Sequence, residues 1–244
     1  SGQNLRWYYN VLPVAQTVTI EYLAKVTGPV VMGTPLKNDG RINWTSTLGS
    51  NPDERSGKDT LLDDYNRRAN VTSNVIDSAS ISKSPTGADL VRTIGETVQY
   101  TITADLPLAT ANAVWINDTL PSGLRFENDT VMINGSGTLK AVTISGTGPT
   151  SINWGFGDVN NSANQDITIR FNGTVRNIAS SQDGTLLNRN SVSLSWINYT
   201  SVRRTATATS SRIRIREPDL QIGKIANKTQ IQVGDTIRYT LTAT

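Results

Sequence analysis

The stretch IGETVQYTITAD, Ile94 to Asp105, decides the fold, and VGDTIRYTLTAT from Val233 to Thr244 nearly repeats it. Apolar and polar residues alternate through both copies, which is the period of a strand with one buried face. A second echo pairs NDGRINW, Asn38 to Trp44, with NSVSLSW, Asn190 to Trp196, Asn first and Trp last in each. Self-similarity at a period of about 140 to 150 residues indicates a tandem array of large modules. The expected division is residues 1–77 as the C-terminal part of one repeat, 78–217 as a complete repeat, and 218–244 as the first strands of another.

Composition agrees with sheets. Ser, Thr, Asn and Gly are abundant, apolar residues make up 36% of the 244, and Ile, Val, Thr, Tyr and Trp dominate the ordered-looking runs. There is no cysteine and no histidine, which excludes disulfides, thiolate metal sites and His-based hydrolase triads. A net charge of +3 is mild. The alternating Arg212, Arg214 and Arg216 read as a solvated strand face, so nucleic acid is not an expected partner. No apolar run reaches membrane-spanning length. Asn-x-Ser/Thr acceptors at Asn43, Asn70, Asn117, Asn128, Asn134, Asn160, Asn172, Asn198 and Asn227 point to a glycosylated exterior.

Along the chain, Leu5 to Tyr22 read as a strand, a loop at Pro13 and a second strand, TVTIEY. Trp7 and Ile20 are then equivalent to Trp154 and Ile169 of the complete module. A polar excursion after Trp44, TSTLGSNPDERSGKDTLLDD, reads as an exposed loop. The complete module should hold strands near Ser80–Ser82, Thr97–Ala104, Ala113–Asn117, Thr130–Ile133, Lys140–Ile144, Ile152–Gly155, Asp166–Val175, Asn190–Trp196 and Thr205–Ile215. Many short strands with Gly, Pro and Asn punctuation predict an all-β, Ig-like sandwich.

Parity marks three polar residues on inward faces. Lys83 shares a face with Ile81, as Lys224 does with Leu220 and Ile222. Asn190 lies with Val192, Leu194 and Trp196, as Asn38 does with Ile42 and Trp44. Asp118 lies with Val114 and Ile116. Burial favours the neutral forms of an ammonium and a carboxylate. A neutral amine beside a neutral acid suits one reaction, attack of the Lys83 amine on the Asn190 side-chain carbonyl with Asp118 shuttling protons and ammonia leaving. The alternatives are a Lys whose head reaches solvent, an Asn serving backbone groups and an Asp capping the turn into Pro121.

The order ISKS (Ile81–Ser84), IGETVQYTIT (Ile94–Thr103), INDTLPSGLRF (Ile116–Phe126), the Trp154 strand and NSVSLSW resembles the fimbrial isopeptide-forming D2 domain and related DUF11 repeats of bacterial and archaeal surface proteins. Also similar is the stretch from Trp44 through Glu54, Arg55, Ser56 and Gly57 to Asp64 and Tyr65. The resemblance implies an isopeptide between Lys83 and Asn190 with Asp118 as the acid. Glu96 is the competing acid and Asn188 the competing amide.

The function expected is therefore a structural repeat of a stalk, sheath, filament or adhesin shaft, extracellular, without cofactor or metal. Its partners would be neighbouring repeats, further copies of itself or surface glycans. One rival is a filament subunit whose incomplete ends complement each other. Another is a carbohydrate-binding sandwich, for which Trp115, opposite in parity to Val114 and Ile116, is the candidate contact, whereas Trp44 and Trp196 should pack inward. Enzymatic turnover has little support: Asp53 with Glu54 and Asp63 with Asp64 are acidic pairs in a polar loop, and Asp158 lacks an oxygen-rich calcium consensus.

Overall fold

The computed structural model describes residues 4–45, 47, 65–133, 141–146, 150–163 and 166–244, with backbone alone at 128–133 and 141. Every regular element among them is a strand. A hairpin of β1 (Pro35–Asn43) and β2 (Asn66–Asn74) comes first. The complete module follows with β3 (Ser80–Ser84), β4 (Leu90–Arg92), β5 (Thr97–Asp105), β6 (Thr110–Leu120) and β7 (Leu124–Ile133). It continues with β8 (Ala141–Ser145), β9 (Thr150–Asn160), β10 (Asp166–Val175) and β11 (Leu186–Leu187). Its last strands are β12 (Ser191–Ile197), β13 (Arg203–Thr209) and β14 (Ile213–Ile215). A terminal hairpin pairs β15 (Ile222–Ala226) with β16 (Tyr239–Ala243).

Two sheets, ordered β3-β5-β10-β7 and β13-β12-β6-β9-β8, form the sandwich, and a smaller sheet orders β11-β14-β4. β4 and β14 run parallel; the other ladders are antiparallel. The alternation that opened the sequence does what its period requires. Val98, Tyr100, Ile102 and Ala104 of β5 face inward beside Ile167, Ile169 and Phe171 of β10. Opposite them lie Val114, Ile116 and Leu120 of β6, Ile152, Trp154 and Phe156 of β9, and Val192, Leu194 and Trp196 of β12. Trp154 crosses the gap to Phe171, with ring centroids 5.9 Å apart. Side chains of this size each contribute about 1.5 to 3 kcal/mol on full burial. Gly173 makes room for one of them, since a Cβ there would stand 3.2 Å from the Tyr100 ring.

Three strand expectations need correction. The run Thr205–Ile215 is two strands, because the chain leaves the large sheet at Ser210 and joins the small one at Ile213. β4 and β11, three and two residues long, carry no periodic signal and were not anticipated. Neither strand expected within Leu5 to Tyr22, the one at Trp7 or TVTIEY, forms, although their equivalents β9 and β10 do. β10 has β5 and β7 on its two edges, whereas no ladder among the described residues reaches TVTIEY, and backbone groups without a ladder partner stay with water.

The expected boundary at Ser78 is crossed by backbone. Val31 bridges Thr110 in parallel, the Met32 amide donates to Thr110 O (2.9 Å), the Thr110 amide to Val30 O (2.8 Å), and the Tyr199 amide to Met32 O (2.9 Å). Met32 is fully buried in the module's core. Residues 30–34 thus complete the sandwich that follows them, and the hairpin β1–β2 extends from it with both faces largely exposed.

Candidate functional site

Lys83, Asp118 and Asn190 meet inside the sandwich near the edge formed by β3 and β13. β3 is the outer strand of its sheet, and its pairing sets Lys83 opposite Ile102, inward. β6 sets Asp118 between Val192 of β12 and Ile152 of β9, two core residues, so the carboxyl occupies a position an aliphatic side chain would otherwise fill. Asn190 immediately precedes β12 on the same inward parity and is 1% exposed. The Lys83 amine donates to Asp118 Oδ2, and both side chains are wholly buried.

Aromatic rings wall the amine. Lys83 Nζ lies 5.1 Å from the Tyr100 ring centroid and 5.0 Å from that of Phe171, and the two rings stack at 5.1 Å. Burial pulls the Lys83 pKa down to about 8 against the opposing pull of Asp118. Burial likewise raises Asp118, with Lys83 and then Asn190 offsetting part of the rise. Tyr100 is pushed up by burial and by the nearby Asp118. Low-dielectric surroundings thus favour a neutral amine and a neutral acid.

The hydrogen-bond inventory is incomplete in a telling way. Asp118 Oδ1 and both side-chain heteroatoms of Asn190 are buried without a partner at hydrogen-bonding geometry, although the Asn190 amide is close enough to act on the carboxyl. Buried polar atoms are nearly always paired, so three orphans in one contact cluster call for a cause. An amine, an amide and an acid brought together dry, with the amide unengaged, can exchange one C–N bond for another.

The competing residues fall away. Glu96 is exposed and its carboxylate accepts the Thr93 amide (2.8 Å), as Asp235 accepts the Gln232 amide (2.8 Å) in the second copy, so this acid shapes the turn before the strand. Asn188 is exposed, two residues from Asn190. The repeat equivalents keep their placement without the enclosure. Lys224 pairs opposite Leu241 as Lys83 does opposite Ile102, and its amine lies 4.6 Å from the Tyr239 ring centroid, but the strand is exposed. Asn38 is exposed and donates to the Tyr22 hydroxyl (2.5 Å).

Asp158 accepts the amide of Ala113, whose φ is +47°, and so supports a bulge of β6 (2.9 Å). No cluster of potential metal ligands occurs among the described residues. Both acidic pairs, Asp53–Glu54 and Asp63–Asp64, lie outside those residues. Trp196 is buried as expected, but Trp44 is 38% exposed and stacks on Tyr65 (5.6 Å, 15°), because no second sheet among the described residues covers its hairpin. Trp7, in a segment without a strand, is exposed beside Tyr22 (ring centroids 5.7 Å apart), and Trp115 faces outward, as its parity predicts.

Among the sequon asparagines, Asn43, Asn70 and Asn227 are exposed, and Asn117, Asn160 and Asn172 are half-buried, with Asn117 donating to Asn153. Asn198 is buried. Its Nδ2 donates to Asp77 Oδ2 (2.7 Å), and its Oδ1 accepts from the Thr200 and Val202 amides and the Thr200 hydroxyl. Such engagement leaves no free amide for a glycan, contrary to expectation. The Asn128 side chain and Asn134 lie outside the described residues.

No family model matches the chain, and no curated protein sequence matches it. Solved structures similar to it include BcpA, the major pilin subunit of Bacillus cereus, at 16% identity and a TM-score of 0.45 over 64% of this chain and 47% of that one. The RrgB pilus backbone of Streptococcus pneumoniae matches at 16% identity and 0.38, over 50% of this chain and 32% of that one. The collagen-binding subdomain of the Enterococcus faecalis surface protein ACE matches at 15% and 0.36, over 56% and 95%. The chain thus spans about half the length of BcpA, and likeness at this level says nothing of what it does.

Proposed function

We propose that this chain is a structural segment of an extracellular surface protein whose complete module crosslinks itself through an amide between Lys83 and Asn190. The observation that carries the reading is the dry meeting of Lys83, Asp118 and Asn190 with Asp118 Oδ1 and the whole Asn190 amide unpaired. The lone pair of neutral Lys83 Nζ attacks Asn190 Cγ while protonated Asp118 hydrogen-bonds the carbonyl oxygen. Asp118 hands its proton to that oxygen as the tetrahedral centre forms; the resulting carboxylate takes a proton from Nζ, passes it to the departing amide nitrogen, and recovers its own from the oxygen as the carbonyl re-forms. One C–N bond forms, one breaks, ammonia leaves, and no oxidant is required. The event occurs once per molecule and acts on no external substrate.

The link would tie the first strand of one sheet to the strand entrance of the other and close a loop of about 100 residues. By analogy with disulfides of that span it contributes roughly 4 to 5 kcal/mol. Digestion followed by tandem mass spectrometry should yield a branched peptide joined through Lys83 and Asn190. Linear peptides bearing an unmodified Lys83 and an unmodified Asn190 would contradict the proposal.

A second reading, saccharide binding, draws on the outer face of the five-stranded sheet. Trp115 is 38% exposed there, and a Cβ on Gly155 would lie 2.8 Å from its ring. The neighbouring row, Thr207, Ser193, Asn117, Asn153 and Thr143, carries no charge. An aromatic platform flanked by neutral polar groups, with the Arg203 guanidinium on Ser195 across from it (3.0 Å), suits stacking and hydrogen bonding of a neutral sugar ring. A Trp115→Ala variant that binds neutral polysaccharides as the parent does, or a parent that binds none, would remove this reading.

A further inference from the structure

The break between β13 and β14 sits against the site. There the Ser210 amide donates to Asn190 O (2.9 Å), and the Asn190 amide donates to Ser210 Oγ (3.2 Å). Ser210 Oγ in turn donates to Ser211 O (2.9 Å), and the Ser211 amide donates to Pro85 O (2.7 Å), two residues beyond Lys83. The Arg189 guanidinium donates to Ser210 O (2.8 Å). Ser210 also lies close enough to the Tyr100 hydroxyl to act on it, and the Tyr100 ring walls the Lys83 amine. Ser210 is fully buried and Ser211 nearly so.

We propose that Ser210–Ser211 is a backbone clamp for the crosslink, with Ser210 the positioning residue. The inference rests on the crosslink reading. Lys83 and Asn190 belong to different sheets, and no ladder pairs β3 with β12. This dipeptide supplies the connection, holding the Asn190 backbone from both its amide and its carbonyl while its next residue grips the Lys83 strand. With its backbone fixed, Asn190 has only two side-chain torsions left to search, a staggered χ1 and a broad, roughly two-fold χ2. Holding reacting atoms in near-attack placement is worth orders of magnitude in rate, so loosening the clamp slows the reaction more than it weakens the fold.

Ser211 provides an internal control. Its hydroxyl is buried without a partner, while its amide makes the contact to Pro85. Ser211→Ala therefore removes nothing the clamp uses, whereas Ser210→Ala removes the acceptor for the Asn190 amide. The full-length chain is made by cell-free synthesis, and the fraction that has lost one ammonia is followed by intact mass. Quenching of tryptophan fluorescence by a soluble quencher gives the folded fraction in the same samples.

Ser210→Ala should fold yet crosslink about tenfold more slowly or worse, while Ser211→Ala follows the parent. If Ser210→Ala does not fold, Ser210→Cys keeps the volume with a poorer acceptor and should be slowed to a lesser degree. A folded Ser210 variant that crosslinks at the parent rate, or a Ser211→Ala slowed as much as Ser210→Ala, overturns the clamp and leaves the crosslink standing. A parent that never loses ammonia overturns the crosslink and the clamp with it.

Discussion

Asp118 occupies a place where a leucine would pack without cost, between Val192 and Ile152. The acid has the buried Lys83 amine as its partner, and the proposed crosslink gives it work to do on Asn190. Asp118→Ala should leave the amine and amide in place and abolish ammonia loss, which intact mass reads directly. The reaction also needs one proton shared between Lys83 and Asp118, so acidification that leaves both protonated should slow crosslinking in a synthesis-coupled time course. A rate indifferent to such acidification would count against the acid's role. Parity isolated these three residues because a strand's period of two is exact. It left Glu96 and Asn188 open because both share the inward parity of Val98 and of Asn190, and parity does not say how far a buried face extends. Ser210 was illegible, since within TATATSSRIRI nothing in the sequence marks where the chain changes sheet.

A second carboxylate, Asp77, carries a different prediction. Its oxygens accept from Asn198, Trp196 Nε1 (3.2 Å) and Arg204 Nε (3.0 Å). Burial alone would raise its pKa, but these hydrogen bonds outweigh that, and the net shift is downward from 3.8. A depressed folded pKa gives stability that is present above the unfolded value and lost as pH falls through the folded one. Asp77→Asn should therefore flatten the loss of stability below about pH 4, measured as the urea midpoint against pH. An unchanged acid limb would contradict this.

At the scale of elements, the joint at residues 30–34 decides how the preceding hairpin is held. Three backbone hydrogen bonds and the buried Met32 fix it to β6 and to the β12–β13 turn, which Asn198 shapes. Met32→Ala should cost about 2 to 5 kcal/mol in urea unfolding of the complete module, although Met32 lies outside residues 78–217. A loss below about 0.5 kcal/mol would mean that the joint is not part of the core. The repeat made the module's long strands readable. It misled at TVTIEY, where the pattern is right and the ladder partner is missing, because a strand is a property of a pair. The same limit hid the joint, since no periodicity announces that one methionine fills a neighbour's core.

For the whole molecule, the proposed crosslink would decide where force travels. Load entering at β3 would pass through Lys83 to Asn190 and leave along β12, β13 and β14, bypassing the loop of about 100 residues between them. Pulled from its ends, the complete module of the parent should extend roughly 350 Å less than that of Lys83→Ala. The segment beyond Asn190 remains load-bearing, with β14 paired in parallel to β4 inside the protected loop. Equal contour gains in parent and variant would show that no covalent bypass exists.

The central claim is a covalent bond, and intact mass under denaturing conditions tests it most directly. The parent should weigh one ammonia less than its sequence, while Lys83→Ala and Asp118→Ala should each have their full calculated mass; a parent at full mass would contradict it.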